Sequence, residues 1–196
     1  DATLNISDYV AETLTPLTNN GSVAVTTHAT QSGVVLDSAK LSDATTIAVK
    51  GAASADAANA SSLAGITTVE STASLSISDY VAQDLRFSSS EGTVAVTTDS
   101  SSSSVVLDST KLRDATALTI AASGSATATA QNLNSILSTN STAVSINGSL
   151  SVSGYVNEDI AALNVNSATS GALSITTDGS SSSVVLDSTK LADATS

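Results

Sequence analysis

Cysteine, methionine and tryptophan are absent from this chain of 196 residues, and phenylalanine, proline and histidine occur once each. Without cysteine there are no disulfides, no thiolate zinc site and no thiol redox chemistry. With aromatic residues at 2 %, a wide globular core cannot readily be filled. Charged residues make up 12 % of the chain, about half the usual share. The 6 Lys and Arg against 18 Asp and Glu leave a net charge of −12. That balance repels nucleic acid and anionic lipid surfaces, both of which are held by Lys and Arg. No apolar run approaches the ~20 residues that span a bilayer. Neither nucleic-acid binding nor membrane insertion is therefore expected. No signal peptide is visible, and residue 1 reads as a mature or excised start.

What fills the chain is Ser, Thr, Ala, Val, Asn and Gly. The hydrophobic share is 41 %, rich in Val, Ile and Leu, whereas disordered chains are poor in β-branched residues. This composition suits a thin core of small aliphatic side chains, the kind that stacked repeats build.

Three landmarks recur. The first is ISDYVA at 6–11 and 77–82, with VSGYVN at 152–157. The second is VAVTT at 23–27 and 94–98, with LSITT at 173–177. The third is VVLDSAKLSDAT at 34–45, VVLDSTKLRDAT at 105–116 and VVLDSTKLADAT at 184–195. Tyr9 to Tyr80 is 71 residues and Tyr80 to Tyr155 is 75; Asp37 to Asp108 is 71 and Asp108 to Asp187 is 79. From Thr26, Thr97 and Thr176 to Asp37, Asp108 and Asp187 the interval is 11 each time. A rigid cassette is thus joined by elastic loops in a tandem repeat. The units are 1–70, 71–141 and 142–196, the last one truncated. The chain starts and stops at DAT, so it reads as a window from a longer array whose missing end caps favour contacts with further copies.

The fold class expected is mainly β: a parallel β-solenoid-like stack with short helices at its corners. Tandem β-sandwich domains are the rival, but a sandwich needs about seven strands and an aromatic anchor. In the second unit the alternation predicts strands over Leu75–Asp79, Thr93–Thr98, Ser104–Leu107 and Ala117–Ala121. Val94 and Val96 face one way, Ala95 and Thr97 the other. Ala-rich stretches predict helices over Ser54–Leu63, starting at Ser54, and Thr127–Leu137. AQDL after Tyr80 reads as one helical turn. The serine runs at 88–90 and 100–104 read as tight polar corners. The period further predicts that the three cassettes occupy equivalent places on one side of the fold.

The stretches LSDATTIAVKGAASADAANASSLAGITTVES and LRDATALTIAASGSATATAQNLNSILS resemble the degenerate repeats of very large bacterial surface and secreted proteins, cyanobacterial and other marine ones in particular. In those repeats a strand of the type xLTIx is followed by an Ala/Asn-rich helical turn. The resemblance implies a secreted or cell-surface setting and a role as adhesin, surface layer or filament. The calcium nonapeptide GGxGxDxUx is absent, which argues against calcium-dependent folding.

Two constellations repeat with the units. Asp37/Lys40/Asp43, Asp108/Lys111/Asp114 and Asp187/Lys190/Asp193 share the pattern Asp-Ser-x-Lys-Leu-x-Asp. Two carboxylates six apart are candidate calcium ligands. A self-satisfied corner is the simpler reading, because Asp caps a turn and Lys sits three residues from each carboxylate. A calcium site also wants 6–8 oxygens and no competing ammonium. Tyr9, Tyr80 and Tyr155 are the second set, read either as an aromatic interaction ladder for glycans or another chain, or as the largest side chains packing a thin core. His28 stands where Asp99 and Asp178 stand in the sister copies, so it reads as a surface residue. No catalytic residues are assigned, since a serine nucleophile needs a base, and no cofactor is expected beyond that calcium reading. The Thr-rich patches are too irregularly spaced for an ice-binding row.

The expectation is a non-enzymatic structural repeat segment of an extracellular bacterial surface or filament-forming protein: a spacer, adhesin stalk, surface layer or fibre subunit. Its partners would be neighbouring repeats or copies of itself in a polymer or array. The alternative is an adhesion module that binds carbohydrate or calcium.

Overall fold

The computed structural model describes residues 2–14, 21–139, 142–166, 169 and 171–196. Among the described residues strands make up 40 % and helices 11 %. The strand pairs described residue by residue are parallel. Parallel pairing rules out the antiparallel sandwich and gives a mainly β, solenoid-like fold. Two compact units are distinguished, residues 1–78 with 83–95, and residues 79–82 with 96–196.

In the first unit, β1 (Thr3–Tyr9), β2 (Ser22–Thr27), β4 (Thr46–Val49), β6 (Thr67–Val69) and β8 (Ser89–Ser90) form one sheet in that order. Opposite it, β3 (Val34–Val35), β5 (Ala52–Asp56) and β7 (Ser74–Tyr80) pair in turn. The chain alternates between the two from β3 onward. Each rung advances 19 to 22 residues, as in Thr3 to Ser22 and Ala24 to Thr46. Inward positions are the apolar ones: Val23 and Val25 on β2, Ile47 and Val49 on β4, Leu75 and Ile77 on β7 are buried. A helix, α1 (Ala57–Leu63), turns one corner and buries Ala57, Ala60 and Leu63.

In the second unit, β10 (Val105–Val106), β12 (Ser125–Thr129), β14 (Ser149–Tyr155) and β16 (Ala172–Thr177) make one sheet. β11 (Ala117–Ile120), β13 (Ala143–Ile146) and β15 (Leu163–Val165) make the facing ladder. α2 (Ala130–Thr139) turns the corner that α1 turns in the first unit. The connection from β13 to β14 is only Asn147–Gly148. A Cβ on Gly148 would stand 2.3 Å from the carbonyl oxygens of Ala121 and Gly124, so only glycine fits. β9 (Thr93–Thr98) falls across the division between units.

Several expectations change. The Thr93–Thr98 strand matches, and Val94 and Val96 are buried. The first helix begins at Ala57 rather than Ser54, because Ala-Ala-Ser-Ala-Asp alternates with period two and stays in the sheet through Asp56. Asp56 is then the N-cap, its Oδ1 accepting from Asn59 N at 2.8 Å. The second helix likewise starts at Ala130, after β12. Ser89–Ser90 is a strand on β6 and not a corner. AQDL forms no helical turn; Leu85 is instead buried in irregular chain.

The largest change concerns the repeat itself. From β1 the chain climbs three rungs, to β2, β4 and β6, and then half a turn more to β7 in the facing sheet. β1 and β7 carry the same landmark, so one repeat is three and a half coils. The two copies of this landmark thus lie in facing sheets. Within the second unit, β10 of the second cassette belongs to the β12–β14–β16 sheet, whereas in the third cassette it is the end, Thr195 and Ser196, that lies along β16. The expectation that the cassettes share one side does not hold for these two, because a residue count carries no information about half turns.

Candidate functional site

The repeated cassette folds through short-range bonds. Asp37 Oδ1 accepts from the N–H groups of Ala39 at 2.9 Å and Lys40 at 3.3 Å. Asp108 Oδ1 accepts from the Thr110 N–H at 2.8 Å and hydroxyl at 2.7 Å. Asp187 repeats this with Thr189 at 2.8 and 2.6 Å. The hydroxyl first and the N–H second hold Asp108 and Asp187 below the ordinary carboxylate range. These are Asx-type turns, in which a short acidic side chain replaces a backbone acceptor. The Asp reading of the self-satisfied corner is thus realised.

The Lys reading is not. Lys40 Nζ donates to Ala11 O at 3.1 Å, Lys111 Nζ to Ala82 O at 2.9 Å, and Lys190 Nζ to Asn157 O at 3.0 Å. Each lysine reaches the loop just after the landmark tyrosine, 29 to 33 residues back. A backbone bond runs beside it: Val35, Val106 and Val185 each donate to the carbonyl of Val10, Val81 and Val156, all at 2.8 Å. In two copies a glutamate tightens the same loop. Glu12 accepts from Val10 N and Ala11 N, and Glu158 from Val156 N and Asn157 N, at 2.8 to 3.1 Å. The backbone donors, Val10 first, draw Glu12 below its usual range. Burial pushes Glu158 up, but its N–H partners outweigh that and the net shift is downward. The cassette and the loop therefore form a clasp between successive coils.

The tyrosines belong to this clasp. All three are buried to within 1 % exposure, so none offers a ring face to a glycan and the exposed-ladder reading is corrected. Tyr9 Oη donates to Val35 O and Tyr80 Oη to Val106 O, both at 3.2 Å. Tyr155 Oη is buried and has no hydrogen-bond partner among the described residues. Burial, with Glu12 and Asp37 nearby, pushes Tyr9 up to about 12. Just before each tyrosine the chain enters the left-handed region, at Asp8 and Asp79 with φ 58° and at Gly154 with φ 69°. The ladder shifts register there, between Ile6 and Tyr9 and between Val152 and Tyr155. That bulge turns the ring into the core.

The candidate calcium ligands do not converge into a cage. In the third cassette Asp187 faces Thr189, whereas Asp193 Oδ2 accepts from Leu163 N at 3.1 Å. Asp37 and Asp108 are turned to their own corners as above, and Asp114 accepts from Arg113 Nε at 3.4 Å. Asp43, like Asp114, has further partners in the fold. Among the described residues no three His, Cys, Asp or Glu side chains are grouped to hold a metal ion.

The sequence did not reveal the turn role of His28. Its Nδ1 accepts from Thr30 N at 3.2 Å and Gln31 N at 3.0 Å. Asp99 and Asp178 do the same with Ser101 and Ser180. The shared position in the repeat is the signal that could have found it. A shallow groove of about 240 Å3 is lined by Asn134, Leu137, Ser138, Asp159 and Ala162; it brings one carboxylate and no imidazole.

No family model, curated protein or solved structure matches this chain. Among the described residues, no helix is long and apolar enough to cross a membrane.

Proposed function

We propose that this chain is a structural repeat segment of an extracellular bacterial surface or filament-forming protein, acting as spacer, adhesin stalk, surface layer or fibre subunit. The observation that carries the reading is the clasp. The polar side chains repeated with the period bind this same chain: each Asp closes its own turn, while the three lysines and Tyr9 and Tyr80 reach backbone carbonyls 26 to 33 residues away and join one coil to the next. A repeat built this way transmits load through backbone ladders and buried Val, Ile and Leu, and needs no ligand to hold its shape. The carbohydrate- or calcium-binding alternative invoked the tyrosines and the paired aspartates. The burial of the first and the turn bonds of the second weigh toward the structural reading.

Protease shaving of intact source cells tests the reading. Peptides of this chain in the shaved fraction, with none from cytosolic markers, are expected. Recovery only after lysis overturns it.

A further inference from the structure

In the first two cassettes the apolar residues are covered by the next coil. Val34, Leu36 and Leu41 are buried, as are Val105, Leu107 and Leu112. The cover has the same parts each time. β5 pairs with β3, and β12 with β10. The carbonyl of Ser54 or Thr127 accepts from Leu36 N or Leu107 N at 2.9 Å. The hydroxyl of Ser54 or Thr127 donates to Val34 O or Val105 O at 3.2 Å. Asn59 or Asn132, third residue of the helix that follows, accepts through Oδ1 from both the N–H and the hydroxyl of Ser38 or Ser109. The two covering segments read AASADAAN at 52–59 and SATATAQN at 125–132. Both fit x-Ala-[Ser/Thr]-Ala-[Asp/Thr]-Ala-x-Asn.

The third cassette repeats the second letter for letter from Ser180 to Leu191, yet it is bare. Leu186 is 72 % exposed where Leu36 and Leu107 are buried, and no strand forms at 184–185. Tyr155 Oη, buried, lacks the acceptor its two sisters have. Thr195 and Ser196 already lie along β16, Thr195 donating to Leu173 O and Ser196 accepting from Ile175 N, both at 2.9 Å. That is the start of the rung from which a covering strand would turn.

We infer that the face formed by Val184–Leu191 is a docking surface for one further coil of this kind: a parallel strand and short helix carrying x-Ala-[Ser/Thr]-Ala-[Asp/Thr]-Ala-x-Asn. Alternating alanines let the strand approach the Val and Leu side chains, and the Asn amide takes the N–H and hydroxyl of Ser188. A folded second copy does not supply this segment, because both examples in the chain already cover their own cassettes. The inference rests on the reading of the chain as a stacking repeat, and not on where that repeat is located.

The test appends residues 118–148 of this chain after Ser196 and follows amide exchange. The Leu186 amide is expected to exchange at least about tenfold more slowly than in the unextended chain, toward the rate of Leu107. An extension with Asn132→Ala and Ala128→Asp is expected to leave it fast. No slowing with the intact extension, equal slowing with the altered one, or protection of Leu186 in the unextended chain through concentration-dependent dimers would overturn the inference. Should the extended chain not fold, a peptide of residues 118–148 added to the unextended chain decides. Saturable shifts at Val185 and Leu186 support the inference, and their absence refutes it. Shaving can fail while this succeeds, so the two readings fall separately.

Discussion

The run SSSSVVLDSTKL occurs at 101–112 and at 180–191, and the two copies share their local bonds but not their surroundings. Lys111 N and Lys190 N donate to the carbonyls of Asp108 and Asp187, both at 3.1 Å. Ser102 and Ser104, like Ser181 and Ser183, have hydroxyls 3.3 Å apart. Leu107 is nevertheless fully buried while Leu186 is mostly exposed. The difference lies in what covers them: β12 and α2 over the first, nothing described over the second. Twelve residues determine a turn, because its donors and acceptors lie within four positions. They do not determine a core position, because the covering atoms come from a coil about 20 residues later.

The largest expected effect follows from that contrast. Leu107→Ala should cost about 2–5 kcal/mol through lost burial and the cavity left behind. Leu186→Ala should cost less than about 0.5 kcal/mol, as surface changes do. Urea titration of both variants checks this, and equal losses would break the comparison.

The tyrosines sharpen it. Tyr80→Phe removes a buried hydrogen bond to Val106 O and should cost about 0.5–1.5 kcal/mol. Tyr155→Phe removes a hydroxyl that has no partner among the described residues, so it should be neutral or slightly stabilising in thermal melts.

Alkaline pH addresses the same rings. Burial, assisted by Glu12 and Asp37, raises Tyr9 to about 12, while an unfolded tyrosine ionises near ~10. Between those values the folded state keeps a proton that the unfolded state has lost. The stabilisation is thus complete below pH ~10 and is lost as pH climbs toward about 12. Tyr155 is raised in the same direction, burial again first. Tyr9→Phe should flatten the decline seen in circular dichroism between those two pH values.

A smaller effect is expected before the ring. Asp79 holds φ 58° where the third copy has Gly154. Asp79→Gly should therefore stabilise by a few tenths of a kcal/mol up to ~1 kcal/mol, the strain relieved less the added chain entropy. Gly154→Ala should do the reverse. The smallest expected effect is none: melting with calcium and with EDTA should coincide, since the aspartates proposed as ligands are used in turns. A calcium-dependent shift would restore the binding-module alternative.

Much of the architecture was legible because it rests on periods. Val94 and Val96 alternate with Ala95 and Thr97, and that pattern alone located β9. The 71-residue spacing announced a repeat, and thin aliphatic composition pointed to stacked parallel strands. The failures have a common cause in pairing. Ser89 and Ser90 have no strand propensity to speak of, but the edge of β6 offers them a rung. Asp56 rather than Ser54 caps α1 because β7 holds the chain extended two residues longer. Within the clasp, Asp37, Asp108 and Asp187 were readable as turn formers. The lysine partners were not, since all three lysines reach backbone carbonyls, of Ala11, Ala82 and Asn157, and a carbonyl leaves no mark in a sequence; only Asn157 adds a side-chain oxygen, at 3.0 Å from Lys190 Nζ.

By itself, then, the chain's sequence determined the tandem period, the Asp turns and the small-residue core. All of these depend on contacts within a few positions or on alternation along one strand. Only the tertiary structure decided that a repeat spans three and a half coils, that each lysine reaches back to a loop, that the tyrosines point inward, and that one of two identical cassettes lies bare. Those outcomes depend on which coil lies against which, and that is set by the closing of each turn upon the last.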